Sequence, residues 1–319
     1  MTGLAEELSR YDKDLRRIAR TAGRLARSDV PLASAICRRQ MAGGKRLRAV
    51  VALLCGRLCG LPDALNDKIA IGVEIIHTAT LLHDDVVDDA PMRRRQSTAN
   101  RMHGNAAAVL AGDFLYSRAS QIFADIGSLP LLSRIAQATN GLAEGEILQL
   151  QQSGKWTGEA AYFEIIGRKT ANLFELAAEA PALARGDSRA SALAGYGRHL
   201  GTAFQLVDDC LDYSGDAAET GKKIGADFGE GKMTLPAILA LAKSGAAARR
   251  RMLAGWRQND AAAFADTLRL VQETGALAET RRRAAEYARR AEESLRPAFG
   301  AKSRAALAAL VRASANRSG

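Results

Sequence analysis

Residues 69–88 read Ile-Ala-Ile-Gly-Val-Glu-Ile-Ile-His-Thr-Ala-Thr-Leu-Leu-His-Asp-Asp-Val-Val-Asp. Apolar side chains recur at helical spacing, and the run ends in carboxylates. On a helix, i and i+4 share a face, so Asp84 and Asp88 point the same way. A second apolar helical run, 124 residues on, ends in Asp208-Asp209-Cys210-Leu211-Asp212. Like charges on one face repel by about 4 kcal/mol at about 4 Å and an effective dielectric of 20. Repeating that arrangement makes sense where cations sit. Hard oxygen ligands in a partly open shell suit Mg²⁺, which keeps waters and takes further ligands from phosphates. The pair of clusters predicts an enzyme that handles a diphosphate through magnesium.

The 319 residues are 47% hydrophobic and 25% charged, an ordinary globular balance. No Pro/Ser/Gly-rich linker divides the chain, which predicts one domain over 1–319. A net charge of +10 favours anionic partners. Runs such as Arg249-Arg250-Arg251 and Arg281-Arg282-Arg283 alternate with Ala and Glu, as a solvated helix face does. Cys37, Cys55, Cys59 and Cys210 complete no zinc set and read as buried free thiols of a reducing compartment. No secretory signal or clean spanning stretch is visible, so a cytoplasmic protein is expected. A transient contact with a membrane surface stays compatible with that.

Periodicity predicts an all-α fold with helices at 4–27, 31–41, 45–60, 63–89, 105–126, 129–152, 158–180, 188–214, 234–244, 246–256, 259–273, 275–296 and 301–317. Segments 90–104 and 214–233 resist helix; each is basic and directly follows an aspartate cluster. The simplest architecture faces the two aspartate helices across one cavity in a helical bundle.

Basic motifs surround this core. Gly43-Gly44-Lys45-Arg46-Leu47-Arg48 precedes an apolar helix, where glycines and a helix N-terminus favour anions. His77 lies two turns before Asp84 and is either a satisfied core residue or a donor to diphosphate. Arg93-Arg94-Arg95 offers bidentate phosphate donors. Arg168-Lys169-Thr170, Gln205 and the glycine-rich loop with Lys222, Lys223 and Lys232 add further contacts. A basic loop over a metal–diphosphate site can close and exclude water.

From about 40 to 235 these motifs resemble the trans-isoprenyl diphosphate synthases, or polyprenyl synthetases, most of all the long-chain octaprenyl-type bacterial members. Gly-Gly-Lys-Arg-Leu-Arg, His77-Thr-Ala-Thr-Leu-Leu-His-Asp-Asp-Val-Val-Asp, Arg93-Arg94, Gly112-Asp113-Phe114, Lys169-Thr170 and Gln205-Leu-Val-Asp-Asp-x-x-Asp carry the likeness. The resemblance implies an all-α isoprenoid synthase-type bundle around a deep cavity, in a homodimer. It implies that Asp84, Asp88 and Asp208 bind Mg²⁺, roughly three ions per loaded site, with Asp85, Asp209 and Asp212 supporting. Lys45, Arg48, His77 and Arg94 would hold isopentenyl diphosphate. Arg93, Lys169, Thr170, Gln205, Lys222 and Lys232 would contact the allylic diphosphate. Ionisation, attack by the alkene and proton loss would then lengthen the chain by one unit. In this family an aromatic four or five residues before the first Asp stops the tail. Thr80 and Ala79 stand there, which implies a deep cavity and a long product, such as a quinone side chain. Phe114, Ile122 and Phe123 are candidate floor residues or ordinary core. Two departures stand out: Arg95 where the family usually has Gly, and Ala49 where Pro often follows Arg48.

Three other readings compete. A terpene cyclase would leave Lys45, Arg48, His77 and Arg94 without a task. A non-catalytic partner subunit would be expected to lose carboxylates, and both clusters are complete. A nucleic-acid binder would need aromatics and a module that this chain lacks.

Overall fold

The computed structural model describes residues 3–93, 96–214, 225–258 and 260–317. Its first helices are α1 (Leu4–Ser9), α2 (Asp12–Leu25), α3 (Pro31–Met41), α4 (Leu47–Leu58), α5 (Asp63–Val87), α6 (Ala99–His103), α7 (Asn105–Ala124), α8 (Leu129–Gln152), α9 (Glu159–Ile166), α10 (Asn172–Arg185) and α11 (Ala190–Ser214). Further helices span Ala226–Gly229, Leu235–Ala242, Ala246–Arg257, Ala261–Glu273, Ala276–Leu295 and Ala301–Ala315. The expected all-α architecture holds.

The differences from the periodic reading have local causes. The helix expected at 4–27 breaks at Arg10 and Tyr11. The one expected at 158–180 contains a π turn over Gly167–Ala171 and then runs through Pro181 to Arg185. A proline inside a helix costs about 3 kcal/mol. Here the buried face of α10, with Leu173, Phe174, Leu176 and Ala177, offsets it. Segment 90–104 is not purely irregular: Met92–Arg93 pairs antiparallel with Gln96–Ser97, and α6 follows. Likewise 214–233 contains the short helix Ala226–Gly229. Arg94, Arg95, Lys222 and Lys223 lie outside the described residues.

The helices α5 and α11, of 25 residues each, are central. Ile69, Val73 and Ile76 of α5 share a core with Leu53 of α4, Leu115 of α7, Phe174 of α10 and Leu200 of α11. The next turns of α11, with Leu206, Val207 and Tyr213, belong to a second core with Phe228, Leu235 and Trp256. So α11 is held from two sides along its length. Its close packing on α10 needs Gly197, where a Cβ would meet Phe174 O at 2.4 Å. All four cysteines are buried and free. Arg282, Arg289 and Arg290 pair with Glu279, Glu293 and Glu286 along Ala276–Leu295, as a solvated face does. Among the described residues, no helix is long and apolar enough to cross a membrane.

The end of α5 decides where its carboxylates point. Ala90 N–H donates to Asp85 O and Asp89 N–H to Val86 O, with Asp89 at φ 45°. This is a Schellman-type stop, which usually carries glycine in the left-handed position. Asp89 reads from sequence as a spare surface carboxylate; it is exposed, and it also turns the chain.

Candidate active site

Asp84, Asp85 and Asp88 occupy the last turn of α5 and its cap. Burial pushes the Asp84 carboxyl up to about 6, against the nearby Lys169 ammonium; Glu146 and Asp88 add to the rise. Asp85 is fully buried and accepts from Arg93 Nε at 2.5 Å. Asp88 accepts from Lys232 Nζ at 2.8 Å, and the same ammonium reaches Glu230 at 2.7 Å. Burial alone would lower the Lys232 pKa; Glu230 and Asp88 outweigh it and raise it. Asp212 at the end of α11 accepts from Ala226 and Asp227, a few residues before Lys232, so the contact of Lys232 with Asp88 sets the C-terminal ends of α5 and α11 at one end of the bundle.

The second cluster is held differently. Asp209 is buried and accepts from Tyr162 Oη and, at 2.8 Å, from Gln205 Nε2. Burial raises its pKa despite these donors. Gln205 Oε1 in turn accepts from Thr170 Oγ1 at 2.8 Å, tying the π turn to α11. Asp212 accepts from the backbone N–H groups of Ala226 and Asp227, at 3.0 and 3.2 Å. It therefore caps the helix Ala226–Gly229. Asp208 keeps 41% of its side chain exposed and accepts from Arg317 at 2.9 Å.

A basic group gathers on the Asp208 side. Arg48 lies under burial that lowers its pKa to about 10, while Glu74 and Asp208 pull it back up. Its guanidinium stacks 4.3 Å from the Phe174 ring centroid and its Nη1 is 3.4 Å from His77 Nε2. Its Nε is buried without a hydrogen-bond partner among the described residues. Such a donor is costly unless an anion meets it. Burial and the nearby Arg317 lower the pKa of Lys45, and Asp208 raises it. The expected placement of Lys45 on the face of a helix from 45 to 60 is corrected. α4 starts at Leu47, because Arg46 at φ 47° is left-handed and cannot continue a right-handed helix. Lys45 sits in the loop, yet still within the field of Asp208. The departure at Ala49 also has a cause: its N–H donates to Glu74 Oε1 at 3.1 Å, a bond that proline lacks.

The structure treats the two chain-length candidates unequally. Ala79 is fully buried, whereas Thr80 is half-buried and bonds His77 O at 2.8 Å. Among the floor candidates, Phe123 is fully buried, and a Cβ on Gly72 would meet its ring at 2.4 Å. That seam lies about 18 Å down α5 from Asp84 at the helical rise of 1.5 Å.

Sequence reading missed Tyr162, Glu146, Gln149 and Arg317. Tyr162 and Arg317 meet their carboxylates across 47 and 109 residues, beyond any local spacing. Glu146 and Gln149 carried a usable signal, since i and i+3 share a helix face. Among the described residues, no three carboxylate, imidazole or thiol side chains converge into a cage for an ion. The aspartates supply hard oxygens, which fit an ion that takes its remaining ligands from water and phosphate.

A sequence profile of the Polyprenyl synthetase family matches residues 30–271. The chain is 48% identical over 234 residues to the octaprenyl diphosphate synthase of Haemophilus influenzae, covering 72% of this chain and 71% of that protein. It is 41% identical over 257 residues to the all-trans-nonaprenyl-diphosphate synthase (geranyl-diphosphate specific) of Rhodobacter capsulatus, covering 80% and 79%. Its fold superposes on a polyprenyl synthase from Caulobacter crescentus, solved with calcium and isoprenyl diphosphate, at a TM-score of 0.90 and 40% identity, covering 100% of this chain and 99% of that one. With both aspartate clusters inside the matched region and one fold throughout, the chain belongs to the polyprenyl synthetase family.

Proposed function

We propose that this protein condenses isopentenyl diphosphate repeatedly onto an allylic diphosphate and yields a long-chain all-trans polyprenyl diphosphate, in the octaprenyl-to-decaprenyl range. The observation that carries this reading is the division of the cations into two sets. Lys169 and Lys232 stand with Asp84 and Asp88. Lys45, Arg48 and His77 gather beside Phe174 and Asp208. Two sets serve two diphosphates, whereas a cyclase ionises one. Relatives that make octaprenyl and nonaprenyl products, and the small Thr80, support a long product.

Burial, with Glu146 and Asp88 adding to it, makes the charged Asp84 costly, a cost that a bound divalent ion relieves. When bound, Mg²⁺ would stabilise the departing diphosphate as a Lewis acid. Asp84, Asp88 and Asp208 would hold it. Asp85, Asp209 and Asp212 act from behind, by fixing Arg93, the Tyr162–Gln205 pair and the chain after α11. Lys169, Thr170, Gln205 and Lys232 hold the allylic diphosphate, with Arg93 aimed by Asp85. Lys45, Arg48 and His77 hold isopentenyl diphosphate. The apolar walls keep water from the allylic cation. Arg94 and Lys222 belong to the same proposal from sequence alone.

A homodimer is part of this reading. Leu129, Leu132, Ile147 and Leu150 form an exposed apolar stripe on α8, beside exposed Val109 and Leu110 on α7. Such a stripe suits a second copy of the chain. A cytoplasmic site and quinone side chains as destination complete it. The test is incubation with farnesyl diphosphate, labelled isopentenyl diphosphate and Mg²⁺, followed by chromatography of the dephosphorylated products. A ladder ending in the octaprenyl-to-decaprenyl range is expected. Cyclic hydrocarbon, or no product from folded protein, overturns the proposal.

A further inference from the structure

Glu146 and Gln149 of α8 lie outside both aspartate clusters and both basic sets, yet they grip a residue of the site. A lysine ammonium has three N–H donors. Lys169 Nζ lies 2.5 Å from Glu146 Oε2 and 2.7 Å from Gln149 Oε1, so two donors are taken. The two acceptors are i and i+3 on α8 and therefore stand one above the other.

The backbone is shaped for this grip. A Cβ on Gly145 would meet Arg168 Cβ at 2.8 Å and Lys169 N at 2.9 Å, so glycine lets α8 touch the π turn. The π turn Gly167–Ala171 carries Lys169 and Thr170. Single π turns inside helices are frequent at functional sites. Glu146 also lies within the field of Asp84. Only 15% of its side chain is exposed, and Oε1 is buried without a hydrogen-bond partner among the described residues. A carboxylate kept only as a packing strut would be expected to satisfy both oxygens.

We infer that Glu146 and Gln149 are positioning residues for the allylic diphosphate: they fix two N–H groups of Lys169 and leave the third aimed at a diphosphate oxygen beside Asp84. The inference rests on the allylic role proposed above for Lys169. Glu146 supplies the charge that keeps the ammonium in place, and Gln149 supplies a neutral second acceptor. Exchanging them preserves both acceptors and the net charge.

The test compares Glu146→Ala, Gln149→Ala and the exchange variant Glu146→Gln/Gln149→Glu with the parent. Two readouts are taken: steady-state KM for each substrate, and calorimetric Kd for farnesyl thiolodiphosphate with Mg²⁺, which needs no turnover. Glu146→Ala is expected to raise the allylic KM and the analogue Kd about tenfold to a hundredfold, Gln149→Ala by less, and neither to move the KM for isopentenyl diphosphate more than about twofold. The exchange variant is expected to recover most of the loss. Parental Kd and allylic KM in Glu146→Ala, or both KM values rising together with no recovery on exchange, overturns the inference. If Glu146→Ala does not fold, the exchange variant decides alone: near-parental values uphold the inference, and a raised allylic KM with raised Kd overturns it. A parent that binds the analogue but makes no elongated product instead sinks the proposed function, and the Kd series still judges the positioning.

Discussion

The clusters Asp84–Asp88 and Asp208–Asp212 share a pattern and differ in what holds them. Their middle residues are alike: Asp85 and Asp209 are buried and turned toward protein donors, Arg93 for one and Tyr162 with Gln205 for the other. Their last residues diverge. Asp88 faces an ammonium, Lys232, while Asp212 is spent on two backbone N–H groups. Their first residues diverge as well: Asp84 is half-buried in a carboxylate-rich corner and Asp208 is partly open beside Arg317. One turn before each first residue the contrast repeats. Thr80 is small, whereas Phe204 lies under the Arg317 guanidinium at 4.0 Å and beside Phe174 at 5.4 Å. The α11 position is thus filled by a packed aromatic where α5 carries a small residue. A motif repeated in sequence here yields two unequal halves, one whose last carboxylate meets an ammonium and the other whose last carboxylate caps a short helix.

The largest effect should separate an aspartate facing the site from one used as a helix cap. Asp84→Asn is expected to lower kcat/KM by about 10³-fold, the scale of losing a preorganised charge at the reacting group. Asp212→Asn should cost about tenfold, accompanied by about 1 kcal/mol of stability, as for a weakened cap. Steady-state kinetics and urea unfolding check both, and equal kinetic losses would break the asymmetry.

The pH dependence comes next. The folded Asp84 pKa, about 6, lies above the ordinary carboxyl value of 3.8, so the folded protein binds the proton more tightly than the unfolded chain. The group costs nothing below about pH 4 and becomes destabilising as pH rises through 6, by up to about 3 kcal/mol. His199, with a pKa lowered by burial and by Arg198, pulls the other way in this window. The readout is therefore the Tm difference between Asp84→Asn and the parent without metal. It should grow in favour of the variant from pH 5 to pH 7 and shrink when Mg²⁺ and pyrophosphate are added. A difference independent of pH would mean that Asp84 is not strained in the metal-free protein.

A third variant makes α5 resemble α11. Thr80→Phe should shift the product ladder to shorter chains, with stability changed by less than about 1 kcal/mol. Ala79→Phe, at a fully buried position, should instead cost about 1–3 kcal/mol through overpacking. Product chromatography beside thermal unfolding distinguishes the two, and an unchanged ladder in Thr80→Phe would place the tail elsewhere. The smallest effect concerns the α5 stop. Asp89→Gly should raise stability by about 0.5 kcal/mol, since glycine adopts positive φ without a Cβ penalty. Urea unfolding that shows a loss would mean that the Asp89 side chain contributes more than its strain costs.

The sequence by itself determined the helices and the two carboxylate ends, because periodicity and i,i+4 geometry are local properties written into consecutive residues. It also placed Gly-Gly before a basic helix start and small residues above Asp84. Only the tertiary structure decided which aspartate serves which purpose. The partners that settle this lie 47 residues away for Asp209, 109 for Asp208 and 144 for Asp88. No short-range pattern encodes such pairings; they exist only once α5, α8, α10 and α11 pack and burial makes each unpaired charge costly enough to demand its partner.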